Sequence, residues 1–498
     1  MVEKGLRREL GLLQALMMGI GGAICAGVFV TLGHAATLAG TALIIAMVLC
    51  GIINLFTMLS YAELGASVPS AGGEYTFAKV SLGGFLSFAT GWFEWLSNMF
   101  YAAFSAVGFA YILSYIMPAI NIPLTAVMTI IVFSLVNIKG VKETGLTQTL
   151  LVMILLAILG IFIFWGFSSS QATGTLDLRA PEGFLGVFRA SAFIFVIYLG
   201  GEAIAVAQAE IKDPDKTIPR AILLSCFALI LIYTTITYVI FRIVPSENLV
   251  GQASPLAYVA EQFMGPLGVG MITVAGIIAA LSSVNTSIMA HSRVAYALAR
   301  DGYFPRAFFL LHGGYSTPVI AIIIGSTITA ALAATGIVNF VAYATDLGFI
   351  IGFILVNLSL IKLRRDKPDL HRPFKVPLYP LTPILGIVTS LFLILFLEPS
   401  TLLIGAELFI LGIIAYYMRM VRYDKIRLAI GGMNLGISAF SAVIAYLTIS
   451  NSIPMSEGIA QLSSVIAVFI SITYLAAGLL NFARKYGEKS WMEMKKGF

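Results

Sequence analysis

An all-α polytopic membrane protein is the fold class that this sequence predicts, and three observations predict it. Apolar residues make up 59% of the 498-residue chain and charged residues only 11%, with a mean hydropathy of +0.96. A soluble chain of this length has more surface than so few charges could solvate. Uncharged stretches such as 43–59 and 150–167 are long enough to cross a hydrocarbon core of about 30 Å. The basic residues, finally, sort to one side of the apolar segments.

About fourteen apolar spans of crossing length follow in order, at 11–34, 38–64, 84–116, 122–138, 145–167, 186–209, 219–242, 265–300, 317–335, 338–362, 380–397, 401–421, 428–449 and 460–483. With the N-terminus cytoplasmic, twenty-seven of the thirty Lys and Arg residues fall on the inner side. They include Lys4, Arg7 and Arg8 before the first span, Lys139 and Lys142 before the fifth, and the run from Lys362 to Lys375 after the tenth. Only Arg179, Arg189 and Arg242 fall outside. The expectation is a multi-pass protein of the cell membrane with both termini cytoplasmic. The net charge of +6 then serves anchoring to the inner lipid surface and calls for no nucleic-acid partner. No small-residue cleavage site follows the first apolar stretch, so Leu12 onward reads as a retained span. Cys25, Cys50 and Cys226 all lie in apolar segments, which excludes a disulfide framework. Four scattered histidines leave no metal-site signature, and no cofactor is expected.

Two spans carry what a simple anchor does not need. The first reads Gly19-Ile20-Gly21-Gly22-Ala23-Ile24-Cys25-Ala26-Gly27, with four glycines in nine residues. The sixth reads Tyr198-Leu199-Gly200-Gly201-Glu202, paired glycines followed by an acid. Glycine-interrupted spans at corresponding places in two halves point to an inverted-repeat transporter with its site between broken helices. Spans one and six correspond if the core is five helices plus five. Unwound backbone has N–H and C=O groups that lipid cannot satisfy, whereas a zwitterion can. Close helix packing is the alternative use of such glycines.

These residues belong to a longer ordered set. Gly21–Phe29 is followed by Ser60-Tyr61-Ala62-Glu63-Leu64 and Pro69-Ser70-Ala71-Gly72-Gly73-Glu74-Tyr75. Gly200-Gly201-Glu202 is followed by Ala209–Pro214 and Ile218-Pro219-Arg220-Ala221. Arg293 with Tyr296–Gly302, and Arg372-Pro373-Phe374-Lys375-Val376-Pro377, complete the set. In that order the motifs resemble the amino acid–polyamine–organocation superfamily of permeases, closest to the branch of cationic amino acid transporters and their bacterial relatives. The resemblance implies a fold like that of the sodium:neurotransmitter symporters, with 1–168 and 169–366 as inverted repeats of five helices each. Residues 367–498 would then hold helices 11–14 and a cytoplasmic tail. It implies, too, secondary active transport of a small-molecule substrate, an amino acid, by alternating access. The substrate carboxylate would meet N–H groups at Cys25, Ala26 and Gly27, and its ammonium the carbonyls of Ala23, Val196 and Leu199, with Ile24, Gly200 and Gly201 completing the site. Ala26, Val196 and Gly201 depart from the residues common in the family, which leaves the substrate open.

Coupling is read the same way. Leu155 stands where some proton-coupled members carry a lysine. Ala279-Ala280-Leu281-Ser282-Ser283 is similar to the sodium-site pattern of the sodium:neurotransmitter symporters, and Gly21, Ile24, Ala279, Ser282 and Ser283 could supply oxygens. Serines in membrane helices also commonly bond back to their own helix. Three acids lie within spans, where an ionised carboxylate is costly. Glu202 reads as a structural acid at the helix break. Asp346 reads as a proton-binding or substrate-contacting acid or a hydrated structural one; Glu94 is the third. A co-transported proton, sodium, or exchange without an ion all stay open, as does the oligomeric state. Polyamine or organic-cation transport and a non-transporting amino-acid sensor are the alternatives. A channel lacks its filter, an enzyme its clustered catalytic groups, and an ATP-driven pump its G-x-x-x-x-G-K-[ST] loop.

Overall fold

The computed structural model describes residues 10–68, 73–140, 145–170, 173–174, 176–178, 180–208, 211–420, 427–450 and 455–483. Among the described residues it is helical without a named strand; one parallel bridge joins Leu10 to Ile211. Pro69–Gly72 of the second-span motif, Lys142, Ala209, Glu210, and the basic residues of the N-terminus and the tail lie outside the described residues.

Two compact units divide the chain, 1–401 and 402–498. The first holds α1 (Leu12–Ala23), α2 (Gly27–Val30), α3 (Leu32–Ala39), α4 (Leu43–Ser67), α5 (Gly73–Ser81), α6 (Gly84–Ile116), α7 (Ile122–Lys139) and α8 (Gly145–Ser168). It continues with α9 (Gly183–Ile194), α10 (Gly201–Val206), α11 (Pro214–Ile243), α12 (Pro255–Arg300), α13 (Val319–Ala333), α14 (Val338–Asp366) and α15 (Leu381–Ile394). Helix α16 (Pro399–Met420) runs into the second unit, which holds α17 (Arg427–Ile449) and α18 (Glu457–Ala483) packed on each other.

A helix underlies each of the fourteen predicted spans, and among the described residues ten stretches are long and apolar enough to cross a membrane. Taken together, α15 and α16 make an eleventh. Helix α13 is shorter, its fifteen residues rising about 22 Å at 1.5 Å per residue. Pro255–Arg300 is two helices that meet at a kink at Gly265, where the backbone is not helical (φ +64°, ψ −154°), and the predicted start of the eighth span at 265 falls on that kink.

In the first unit α1 and α4 pack on α11, while α6 is held between α12 and α14. Helix α8 lies against α1 and α12. The outward faces are apolar, as at Phe164 and Leu231, which are 76% and 69% exposed, as a bilayer-facing surface requires. The three basic residues that broke the charge pattern are partly explained. Arg189 pairs with Glu182 at 2.7 Å, and Arg242 donates to the Gly166, Phe167 and Ser169 carbonyls at the end of α8. Arg179 lies outside the described residues.

Candidate functional site

Both glycine-rich spans are interrupted. Helix α1 ends at Ala23, where Ile24 leaves helical geometry (φ −75°, ψ 84°) and Cys25 N–H turns back to the Ala23 carbonyl at 2.8 Å. Ala26 and Thr31 have helical torsions, so Gly27–Ala39 continues as one arm. In the sixth span α9 gives way to a 3₁₀ turn over Phe195–Tyr198 and an extended Leu199, and α10 starts at Gly201. The breaks touch. A Cβ on Gly200 would lie 2.2 Å from the Ala23 nitrogen, and one on Gly22 would lie 3.3 Å from both Cα and O of Gly200. One on Gly27 would meet Ile197 Cγ2 at 2.6 Å, Cys25 Sγ at 3.2 Å and Phe104 at 3.3 Å. The space beside Gly27 is therefore filled by side chains in this conformation. Ala23, Ile24, Cys25, Ala26, Val196 and Leu199 are all buried around this contact, while a Cβ on Gly201 would press on Met58 Sδ.

Side chains from neighbouring helices take up the freed backbone. Tyr101 on α6 donates to the Gly22 carbonyl at 2.8 Å, Tyr233 on α11 to that of Ile197 at 2.8 Å, and Asn54 on α4 to that of Tyr198 at 3.3 Å. The Tyr198 hydroxyl donates to the Met47 carbonyl at 2.7 Å. Glu202 reaches back over the break, its Oε2 accepting from Gly200 N–H at 2.7 Å. Sequence reasoning passed over Tyr101, Tyr233 and Asn54. Their signal was a polar tip midway along an apolar helix, which buried Tyr and Asn need to satisfy. Two of the N–H groups expected to bind a carboxylate are engaged: that of Cys25 as above, and that of Gly27 with Cys25 Sγ at 3.2 Å. The second is a weak bond, since thiol sulfur is a poor acceptor.

The residues read as ion ligands are distributed less tightly. Helix α12 packs on α1, which carries Gly21 and leads to Ile24. Ser283 donates its hydroxyl to the Ala279 carbonyl at 3.0 Å, and the Ser282 carbonyl accepts from Thr286 at 3.0 Å. Leu155 is buried on α8, which faces α1 and α12. Asp346 on α14 is fully buried, and neither carboxylate oxygen has a hydrogen-bond partner among the described residues. One turn before it Tyr343 meets Phe193, ring centroids 4.9 Å apart, and Phe193 meets His34 at 4.6 Å. These rings form a layer on the α3 side of the breaks. His291 is buried against Gly325 of α13, away from any partner for its ring nitrogens among the described residues.

Paired broken helices inside a polytopic bundle narrow the comparison, and the family model for amino acid permeases matches residues 14–432. The chain belongs to that family. The permease is 28% identical over 445 residues to a branched-chain amino acid permease, BcaP, of Bacillus subtilis (strain 168), covering 85% of this chain and 95% of the relative. It is 27% identical to the methylthioribose transporter of the same organism, over 84% of this chain and 94% of that protein. It is 30% identical to a cystine/glutamate transporter of Pongo abelii, over 84% and 86% respectively. The permease is thus a multi-pass member of a family of amino-acid transporters, and not an enzyme.

Beyond the breaks, the signature after α14 has a structural reading. Glu63 on α4 takes a bidentate contact from Arg364, with Arg372 Nε at 3.3 Å from Oε1 and Val376 N–H at 2.7 Å from Oε2. Arg372 also donates to the carbonyls of Leu363, Lys367, Pro368 and Leu370, and Arg364 lies 4.1 Å over the Tyr379 ring. Arg372–Pro377 therefore fastens the segment after α14 to the foot of α4.

Proposed function

We propose that this permease is a secondary active amino-acid transporter that works by alternating access. The substrate's α-carboxylate would be held by N–H groups at Cys25–Gly27, and its ammonium by carbonyls of Ala23, Val196 and Leu199. The observation that carries this reading is the direct apposition of two unwound segments from spans one and six, with Gly200 against Ala23. Unwound backbone at this depth is tolerated where protein or a ligand satisfies it. Tyr101, Tyr233 and Asn54 serve the Gly22, Ile197 and Tyr198 carbonyls, none of which is assigned to the ligand. A carboxylate is a far better acceptor than the Cys25 thiol for Gly27 N–H and would displace it. Ile197 and Phe104 give the site apolar walls, which suits an apolar side chain such as those the branched-chain relatives are named for.

The matched breaks favour residues 1–168 and 169–366 as the two inverted repeats. The distribution of Lys and Arg favours a cell-membrane protein with cytoplasmic termini. A sodium ion at Gly21, Ile24, Ala279, Ser282 and Ser283 stays open: the Ser283 hydroxyl donates back to Ala279, as membrane serines commonly do, and its oxygen lone pairs remain free. One observation favours a second reading: Asp346, an unpartnered carboxylate near the breaks, suits an organic cation or polyamine.

Counterflow and uptake in proteoliposomes, over a panel of amino acids and diamines, test these readings. Movement of an apolar amino acid, blocked by a thiol reagent at Cys25 and protected by that substrate, is the expected result. Transport of diamines alone would favour the Asp346 reading, and a Gly27→Val protein that transports normally would remove the backbone site.

A further inference from the structure

Helix α5, the short helix between the second and third spans, carries a glutamate that neither the substrate site nor the charge pattern uses. Glu74 is 2% exposed. Its Oε1 accepts the Tyr61 hydroxyl of α4 at 2.5 Å, while Oε2 is buried with no partner among the described residues. That oxygen is aimed at the backbone of α14, 2.1 Å from where a Cβ on Gly352 would stand. A side chain at 352 would fill the cradle that Oε2 occupies.

Among the described residues, the charges that face Glu74 are all acidic. From α6 comes Glu94, whose Oε2 accepts Tyr75 N–H at 3.0 Å and so caps the start of α5. From α10 comes Glu202, which accepts Gly200 N–H. Tyr61 comes from α4, and two residues on Glu63 is committed to Arg364 and Arg372. Helix α14 presents Gly352 and Phe353, which do not ionise. On α5 itself, Tyr75 and Lys79 are drawn away to Asp301, at 2.6 and 2.7 Å. Three carboxylates so placed, without a facing cation among the described residues, cannot all stay ionised. Glu94 and Glu202 each have a backbone N–H to hold their charge, and Glu74 has a tyrosine hydroxyl alone. The proton belongs on Glu74.

Its surroundings connect it to the breaks. The Tyr61 ring packs on Phe353 at 5.8 Å, and Phe353 on Phe195 of the 3₁₀ turn in the sixth span at 5.6 Å. Helix α5 packs on α10 as well, so a rearrangement of that break reaches Glu74 through both the rings and α10.

We propose that Glu74 is a proton-binding site of this permease, which couples a proton to substrate movement in a chain whose fifth span offers Leu155 and no cation. On uptake an O–H bond forms at Oε2 and the side chain becomes neutral; on release that bond breaks and the proton returns to water. The coupling rests on the transporter reading above, whereas proton binding does not.

Two measurements on the full chain in lipid test it separately. Infrared difference spectra between acid and alkaline pH should contain a buried carboxylic-acid C=O band that Glu74→Gln removes and Glu94→Gln retains. Tyr61→Phe, which keeps Glu74 but deletes its donor, should move the titration of that band to higher pH. A band unchanged in Glu74→Gln overturns the site, whether or not any substrate is transported. For coupling, an imposed gradient of one pH unit should sustain up to about tenfold accumulation of a substrate carried with one proton. In Glu74→Gln the accumulation ratio should fall to about one, measured against its own counterflow. Undiminished accumulation by that variant overturns the coupling. A wild type that moves no substrate defeats the transporter reading, and the coupling with it, while the band still judges the proton site.

Discussion

Replacing Gly200 with alanine introduces a methyl group into the contact between the two breaks. Its carbon would stand 2.2 Å from the Ala23 nitrogen and 2.7 Å from both Ala23 Cα and Cβ, whereas ordinary contact starts at 3.4 Å. Relief therefore asks one backbone to retreat by about 1.2 Å, because no flexible side-chain end is involved that could turn aside. Ala23 is poorly placed to yield, since Tyr101 holds the neighbouring Gly22 carbonyl and Ala23 itself binds Cys25 N–H. Overpacking of this kind costs about 1–3 kcal/mol. Taken wholly from substrate affinity, that is a loss of about 5- to 150-fold. Gly160→Ala is the control, for that glycine sits exposed on α8 with nothing within 4 Å of an added Cβ. It should be neutral or stabilising by up to about 1 kcal/mol through helix propensity. Trp92 and Trp95 are buried, so their fluorescence reports unfolding of the detergent-solubilised protein. Gly200→Ala should melt earlier than wild type and Gly160→Ala should not, with substrate uptake following the same order. A Gly200→Ala protein that melts and transports like wild type would refute the apposition of the breaks.

Three further outcomes follow from the packing around the breaks and at the ends of the helices. Tyr101→Phe leaves the Gly22 carbonyl buried without its donor and should cost about 1–3 kcal/mol in chemical unfolding, while an unaffected variant would mean that the carbonyl finds another partner. Glu63→Ala strands Arg372, which is 6% exposed, and should destabilise by about 3–5 kcal/mol. Loss confined to transport, with melting unchanged, would contradict the clamp. At Asp301, burial pushes the carboxyl upward, but the Lys79 and Tyr75 hydrogen bonds outweigh it and hold the group below its usual range. A folded-state value below the unfolded one stabilises the protein above the unfolded pKa and ceases to do so as pH falls through the folded one. The melting-temperature gap between wild type and Asp301→Asn should therefore be present at neutral pH and close below about pH 4. A gap that widens in acid would reverse the sign of the argument.

The sequence by itself determined the membrane class, the order of the helices and the places where two of them are interrupted. Those properties are local: hydropathy is read over one helix length, and glycine weakens a helix at its own position. It also exposed the signature at Arg372–Pro377, and Glu63 within its motif, without any sign that the two meet. The same limit hid the partners of the unwound backbone. Asn54 and the Tyr198 carbonyl are 144 residues apart, and Tyr101 and the Gly22 carbonyl 79 apart, so no periodicity could pair them. Glu74 shows the division most clearly. In sequence it is one acid of the Pro69–Tyr75 motif; in the fold α4, α6, α10 and α14 enclose it, and no cation faces it among the described residues. Which charges end up together is a property of long-range packing, because a buried carboxylate is governed by what surrounds it in space and not by its neighbours along the chain.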